Sequence, residues 1–317
     1  MDPLTGSSTP TNISSPDVLD AIPGRIDLER RALVPDLLLL LTAVIWGFAF
    51  VAQRAGMEHM GPLFFNGIRF AMGAAVLVPV LAARRGSSRA TVRSALPGGL
   101  AAGLVLFGGA SLQQAGLVFT TAGKAGFITG LYVVLVPLLG TLRRKRTSTG
   151  TWLGAVLAAA GLYLLCVTGG LSFAPGDLLV LAGALFWALH VQVIGHLSSG
   201  HDPIALAMVQ FAVCSLLSLA AALILESPDP GAIGLTLLPL GYSGFLSVGI
   251  AYTLQVVAQR RAEPSHAAVI MSLEAVAAAL GGWLVLGETM TARSLAGCAL
   301  MLTGMLTSRL SRRTGRA

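Results

Sequence analysis

Ten apolar stretches, each about the length of one bilayer crossing, take up most of this 317-residue chain. They run roughly over residues 36–56, 62–83, 96–119, 125–142, 150–168, 177–197, 203–225, 236–258, 266–287 and 293–309. A hydrocarbon core about 30 Å thick takes about 20 helical residues, and in lipid an open chain has no other way to satisfy its backbone N–H and C=O groups. The spacing predicts an all-α integral membrane protein with ten transmembrane helices. A hydrophobic content of 55%, a charged content of 11% and a mean hydropathy of +0.79 are too apolar for a soluble domain of this size.

The cations sort these helices by direction. Arg25, Arg30 and Arg31 precede the first stretch. Arg84, Arg85, Arg89 and Arg93 fill the second gap, Arg143, Arg144, Lys145 and Arg146 the fourth, and Arg260 and Arg261 the eighth. Arg309, Arg312, Arg313 and Arg316 follow the tenth stretch, which accounts for seventeen of the 21 Lys and Arg. The opposite gaps hold only Arg54, Lys124 and Arg293, and Arg69 lies inside a stretch. By the positive-inside rule, both termini and the even gaps are cytoplasmic, as expected of a multi-pass protein of the cell (inner or plasma) membrane. This orientation also explains the pI near 10. The cations are spread over short loops without interleaved aromatics, which argues against nucleic acid as a partner. Cys166, Cys214 and Cys298 all lie inside apolar stretches and are odd in number, so they read as small core residues with no disulfide or metal framework.

A shift of 141 positions lays uncommon residues on one another: Asp36 on Asp177, Trp46 on Trp187, Pro62 on Pro203, Phe70 on Phe211, Gln114 on Gln255 and Gly140 on Gly281. With two more residues inserted, Gly154 meets Gly297 and Gly161 meets Gly304. Each half is one copy of a five-helix unit. Five is odd, so the second copy must enter the membrane upside down. Inverted-topology repeats of this kind are the architecture of secondary transporters, with a substrate site near the midplane and alternating access. The expected organisation is a disordered, Ser- and Pro-rich cytoplasmic tail over 1–32, one repeat over 33–170, an inverted one over 174–310, and a basic cytoplasmic tail over 311–317.

The stretches IWGFAFVAQRAG, GPLFFNGIRFAMG, FTTAGKAGFITGLYVVLVPLLG, GIAYTLQVVAQRRAEPSHAAVIMSLEAVAAALGGWLVLGE and LAGCALMLTGM resemble the drug/metabolite transporter superfamily, specifically its EamA-type ten-helix permeases. The resemblance covers about residues 36–309 and implies a permease with cytoplasmic termini that exports small metabolites such as amino acids. Ala275 stands where many relatives carry a proline after the glutamate of the ninth stretch, so no proline break is expected there.

Polar groups inside a bilayer are expensive, and each needs a reason. Glu274 lies nine residues past Ser265, about 13 Å along a helix and so near the midplane. It reads either as a carboxylate that takes up a proton or a substrate ammonium, or as a structural partner of a neighbouring helix. Arg69, about 10 Å inside the second stretch, suits a substrate carboxylate or a permanent ion pair. Trp46 and Trp187 sit at midplane depth, away from the interfacial aromatic belts, and are candidates for lining a cavity or for core packing. Tyr132, His190, Gln192, Tyr252 and Gln255 are candidates to add hydrogen bonds to the same cavity. Glu288 reads as a helix-end contact, and Gly99 with Gly103 and Gly126 with Gly130 as close-packing faces.

The expected function is a permease that moves a small-molecule substrate by alternating access, with protons as the coupling ion if Glu274 titrates. The alternatives on the same architecture are a membrane-embedded enzyme and a flippase for lipid or sugar conjugates. An enzyme needs a nucleophile with its base, or a metal cluster. His196, His201 and Asp202 form the one polar cluster of the loops, and their spacing matches no zinc motif. Thr121 and Lys124 only loosely resemble a hydroxyl–lysine pair, and no phosphate-binding loop is present. No cofactor or metal is expected.

Overall fold

The structure is a computed structural model, and it describes residues 17–84, 89–120, 122–144, 147–167, 175–286 and 289–314. Every element among them is helical: α1 (Asp17–Gly56), α2 (Pro62–Ala83), α3 (Arg89–Phe119), α4 (Ala122–Gly130), α5 (Tyr132–Leu142), α6 (Thr149–Cys166), α7 (Pro175–Leu197), α8 (Pro203–Leu225), α9 (Ala232–Leu235), α10 (Leu237–Gly241), a π-helix (Tyr242–Tyr252, here π1), α11 (Thr253–Gln259), α12 (Pro264–Met271), α13 (Glu274–Leu286) and α14 (Ala292–Thr314). Nine spans among the described residues are long and apolar enough to cross a membrane. The tenth predicted stretch is α14. It has the length, at 23 residues, but its ends carry Arg293, Arg309, Arg312 and Arg313. Leu37, Leu41, Val51, Leu223, Ile224 and Leu238 are exposed on the outside of the bundle, a surface that suits lipid and not water.

Local chemistry starts several helices where the composition changes. Asp202 accepts from the N–H groups of Ile204 and Ala205 and Glu263 from those of Ser265 and His266, each followed by a proline at the first helical position. Proline loses nothing there, because that N–H has no intrahelical partner. Glu226, at the end of α8, accepts from the N–H groups of Leu63 and Phe64 and so caps α2 from another helix. One expectation needs correcting: α1 begins at Asp17, so helix reaches into the segment read as a disordered tail. Leu, Arg, Glu and Ala in that segment favour helix while Pro23 and Gly24 oppose it, and extending an existing helix avoids the cost of nucleation. Residues 1–16 and 315–317 of the predicted tails lie outside the described residues.

The two halves pack in matching ways. α2 lies on α8 and α6 on α14, pairing equivalent helices, while α1 packs on α12 and α13 as α7 packs on α4 and α5. The α6–α14 contact runs through the repeated glycines. A methyl group at Gly154 would lie 2.6 Å from the Gly304 carbonyl oxygen, and one at Gly161 would lie 2.5 Å from that of Gly297, so only glycine permits this approach. Gly99 and Gly103 pack against Val209 and Val213 of α8. Gly130 meets Leu162, but Gly126 faces open space and does not belong to a close-packed face.

Two spans are broken at equivalent points. α4 gives way to α5 at Leu131, and α12 to α13 at Ser272 and Leu273, 141 residues later. At both breaks the ladder tightens to the residue three back, Leu131 N to Ile128 O and Leu273 N to Ile270 O. The Ser272 hydroxyl donates to Val269 O at 2.9 Å and so satisfies a carbonyl left without its usual partner.

Candidate functional site

Between the spans lies a central cavity of about 50 Å³, not closed off on every side, with room for a few water molecules. Its walls come from the two matched pairs of elements. α1 brings Trp46 and Gln53, α13 brings Glu274, α7 brings Trp187 and His190, and Thr129 and Tyr132 stand on either side of the α4–α5 break. Arg69 of α2, Gln113 of α3, Ser247 and Tyr252 of π1 and Gln255 of α11 complete the lining.

The span holding Glu274 is the most enclosed of the nine, with 83% of its apolar window buried. Gly47 of α1 allows this, because a methyl group there would lie 2.7 Å from the Glu274 carbonyl oxygen. Glu274 is buried and makes no ion pair among the described residues. Its carboxylate faces the Tyr132 hydroxyl, but without a hydrogen bond of ordinary geometry.

Arg69 is buried and lies over the Phe70 ring at 4.9 Å and the Phe65 ring at 6.0 Å. Its Nε donates to Asn66 Oδ1 at 2.8 Å. No carboxylate lies within 4.0 Å of it among the described residues, so the permanent ion pair considered from sequence is not made. The rings form one aromatic cluster. Tyr252 lies 4.5 Å from Trp46, 6.0 Å from Trp187, 6.0 Å from Phe70 and 6.1 Å from Phe211, centroid to centroid. Phe70 and Phe211, equivalent residues of the two halves, meet at 6.3 Å.

Hydrogen bonds fix the indoles. Trp46 Nε1 donates to Ser247 O at 3.3 Å and Trp187 Nε1 to Gln113 Oε1 at 2.6 Å. Ser247 O is a carbonyl of π1, and Thr42 Oγ1 likewise donates to Ala251 O at 3.1 Å; a carbonyl oxygen has a second lone pair to offer a neighbouring helix. His190 Nε2 pairs with Gln210 Oε1 at 2.9 Å, and Gln255 Nε2 donates to Gln259 Oε1 at 3.0 Å. Several buried polar atoms around the cavity have no hydrogen-bond partner among the described residues: Tyr132 Oη, Thr129 Oγ1, His190 Nδ1, Gln53 Oε1 and Gln255 Oε1. Such atoms are costly unless something enters to meet them.

Gln192 is not at the cavity. Its Nε2 donates to Val136 O at 2.8 Å, tying α7 to α5, because on a helix a residue two positions from His190 points to another face. Two members of the loop cluster have local partners: His201 Nδ1 lies 2.9 Å from Leu197 O, and Asp202 caps α8 and pairs with Arg84 at 3.2 Å. Thr121 and Glu288 lie outside the described residues. The cations that break the charge pattern have local partners. Arg54 donates to Leu117 O and Thr120 O at the end of α3, Lys124 pairs with Asp177, and Arg293 donates to Leu164 O while lying over the Tyr163 ring.

The profile of the EamA-like transporter family matches residues 33–167 and again residues 174–310. The chain belongs to the EamA-like transporter family. An uncharacterized transporter of Archaeoglobus fulgidus is 34% identical over 87% of this chain and 86% of its own. A probable amino-acid metabolite efflux pump of Salmonella typhimurium is 27% identical over 84% and 92%, and the uncharacterized inner membrane transporter YedA of Escherichia coli 27% over 78% and 81%. A solved crystal structure with 21% identity superposes with a TM-score of 0.76 over 88% of this chain and 98% of its own, a likeness of fold. The protein is thus a multi-pass member of a transporter family. In this EamA-like chain the ninth span is broken at Ser272 and Leu273 although position 275 is an alanine, with the Ser272 hydroxyl on Val269 O and the three-residue bond of Leu273 at the break. Gln53, Gln113 and Thr129 were not singled out from the sequence. Their one signal was being polar inside an apolar stretch.

Proposed function

We propose that this protein exports a small zwitterionic metabolite, an amino acid or a close relative, across the cell membrane by alternating access of the central cavity. The observation that supports this most directly is the pair of buried, opposite charges on one cavity, Arg69 and Glu274, neither of them ion-paired among the described residues. A planar guanidinium suits a carboxylate and a buried carboxylate suits an ammonium, while the faces of Trp46, Trp187 and Tyr252 suit an ammonium or an apolar side chain. The unpartnered atoms nearby supply further donors and acceptors. A cavity with room for only a few waters must expand to admit such a molecule, and rocking of one half against the other supplies that expansion.

One feature favours a permease over an enzyme: His190 is bonded to Gln210 and not to a hydroxyl that it could activate. Both termini are cytoplasmic in this proposal, from the charge count. The test is exchange in vesicles containing the purified protein, loaded in turn with amino acids, organic acids, amines and a sugar-conjugated lipid. Zwitterions should exchange fastest, with simple acids and amines at least tenfold slower. Equal exchange of neutral sugars or selective movement of the lipid would overturn the proposal.

A further inference from the structure

Two ion-paired acids flank the cavity, and they hold equivalent places in the two halves. Asp36 opens the first span and Asp177 the sixth, 141 residues later; five crossings separate them, so they lie at opposite ends of the bundle. Each reaches into the other half. Asp36 Oδ1 lies 3.1 Å from His266 Nε2 at the start of α12, and its Oδ2 3.4 Å from Arg309 Nε in α14. His266 is fully buried, its Nδ1 meets Ser308 Oγ at 2.8 Å, and Ser308 Oγ lies 3.3 Å from Thr151 Oγ1 of α6. At the other end, Asp177 Oδ2 lies 2.6 Å from Lys124 Nζ in α4, and its Oδ1 accepts from Thr120 Oγ1 at 2.6 Å. In both cases the acid on the first helix of one half holds the outer half-helix of the other half's fourth span.

The helices joined by these contacts also line the cavity, Thr129 from α4 and Met271 from α12 beside the residues of α1 and α7. Trp46 and Glu274 belong to the α1–α13 wall, and Trp187 and Tyr132 to the α7–α5 wall. The half-helices α4 and α12, which carry Lys124 and His266, end at the breaks at Leu131 and at Ser272 with Leu273. Each can turn about its break while the half-helix beyond it stays against the cavity. With both pairs made, the cavity holds only a few waters.

We propose that Asp36–His266 and Asp177–Lys124 are the latches of two opposed gates, and that releasing either one lets its half-helix swing and opens the cavity to that end alone. The inference rests on the transport reading, yet its test needs no substrate. Cys166, Cys214 and Cys298 are replaced by alanine, and Ser247→Cys places one thiol on the cavity wall. A membrane-impermeant maleimide is then applied to intact cells and, separately, to inside-out vesicles. Asp36→Asn should raise labelling severalfold in inside-out vesicles only, and Asp177→Asn severalfold in intact cells only. The double exchange Asp177→Lys with Lys124→Asp should return labelling to the parent level. If either asparagine variant fails to fold, His266→Gln and Lys124→Gln take the same test with the same expected sides. Labelling that rises on both faces, or on neither, overturns the latches, as does failure of all four single variants to fold, which would make the pairs permanent ties. One-sided labelling without vesicle exchange of any compound would keep the latches and remove the substrate reading.

Discussion

Glu274 is the residue on which the proposed coupling rests. A carboxylate in the middle of a bundle is costly when charged and cheap when protonated, so its protonation can bias which end the cavity faces. Glu274→Gln keeps the shape and fixes the neutral form. The variant should fold, insert and exchange substrate in vesicles, but lose stimulation by an imposed pH gradient; gradient stimulation equal to that of the parent would make Glu274 structural. Trp46→Leu and Trp187→Leu each remove one aromatic face from the cavity. For a cationic ammonium that face is worth about 1–2 kcal/mol, so binding should weaken roughly five- to thirtyfold, and loss of a packed ring and its indole bond should lower the unfolding temperature as well, more for Trp187 with its bond to Gln113. Calorimetric titration of purified variants with the best exchanged amino acid checks this. Glu274, Arg69 and the two indoles were legible in the sequence because each breaks a rule of membrane composition. Gln192 breaks the same rule yet serves helix packing, since sequence gives a residue's depth but not the face it turns to in the assembled bundle.

Helix ends and crossings carry the next set of consequences. Glu226 caps α2 from α8 through two bonds of 2.7 and 2.9 Å, so Glu226→Ala leaves two backbone N–H groups bare. A loss of about 1–2 kcal/mol is expected, seen as a lower unfolding temperature in detergent with exchange activity retained at low temperature. Gly161→Leu meets Gly297 and Met301 directly and should cost more, about 3 kcal/mol, because neither helix can retreat without uncovering the rest of the α6–α14 seam. The breaks at Leu131 and at Ser272 with Leu273 were not legible. No proline marks the second, and a serine inside an apolar run is common enough to pass unread until its hydroxyl is seen on Val269 O.

At the scale of the whole molecule, the charge count makes a claim about orientation. A cytoplasmic reporter fused after Ala317 should be active, and a reporter inserted between residues 172 and 177 should report the outside. Both on the same side would overturn the five-plus-five inverted arrangement. The pairing of α2 with α8 and of α6 with α14, and the two separate matches to the EamA-like family, agree with a duplicated unit.

Hydrophobic length alone determined that the chain is a bundle of membrane-crossing helices, because lipid leaves the backbone one solution; the spacing of repeated residues marked the duplication in the same way. Only the tertiary structure decided that Arg69 and Glu274 share one cavity with no ion pair to either among the described residues, that π1 carbonyls accept from α1, and that Asp36 and Asp177 each pair with the other half. The physical reason is range. Periodicity and hydropathy act along the chain and can be counted, whereas these contacts join residues 53 to 230 positions apart whose meeting depends on how every helix between them is turned.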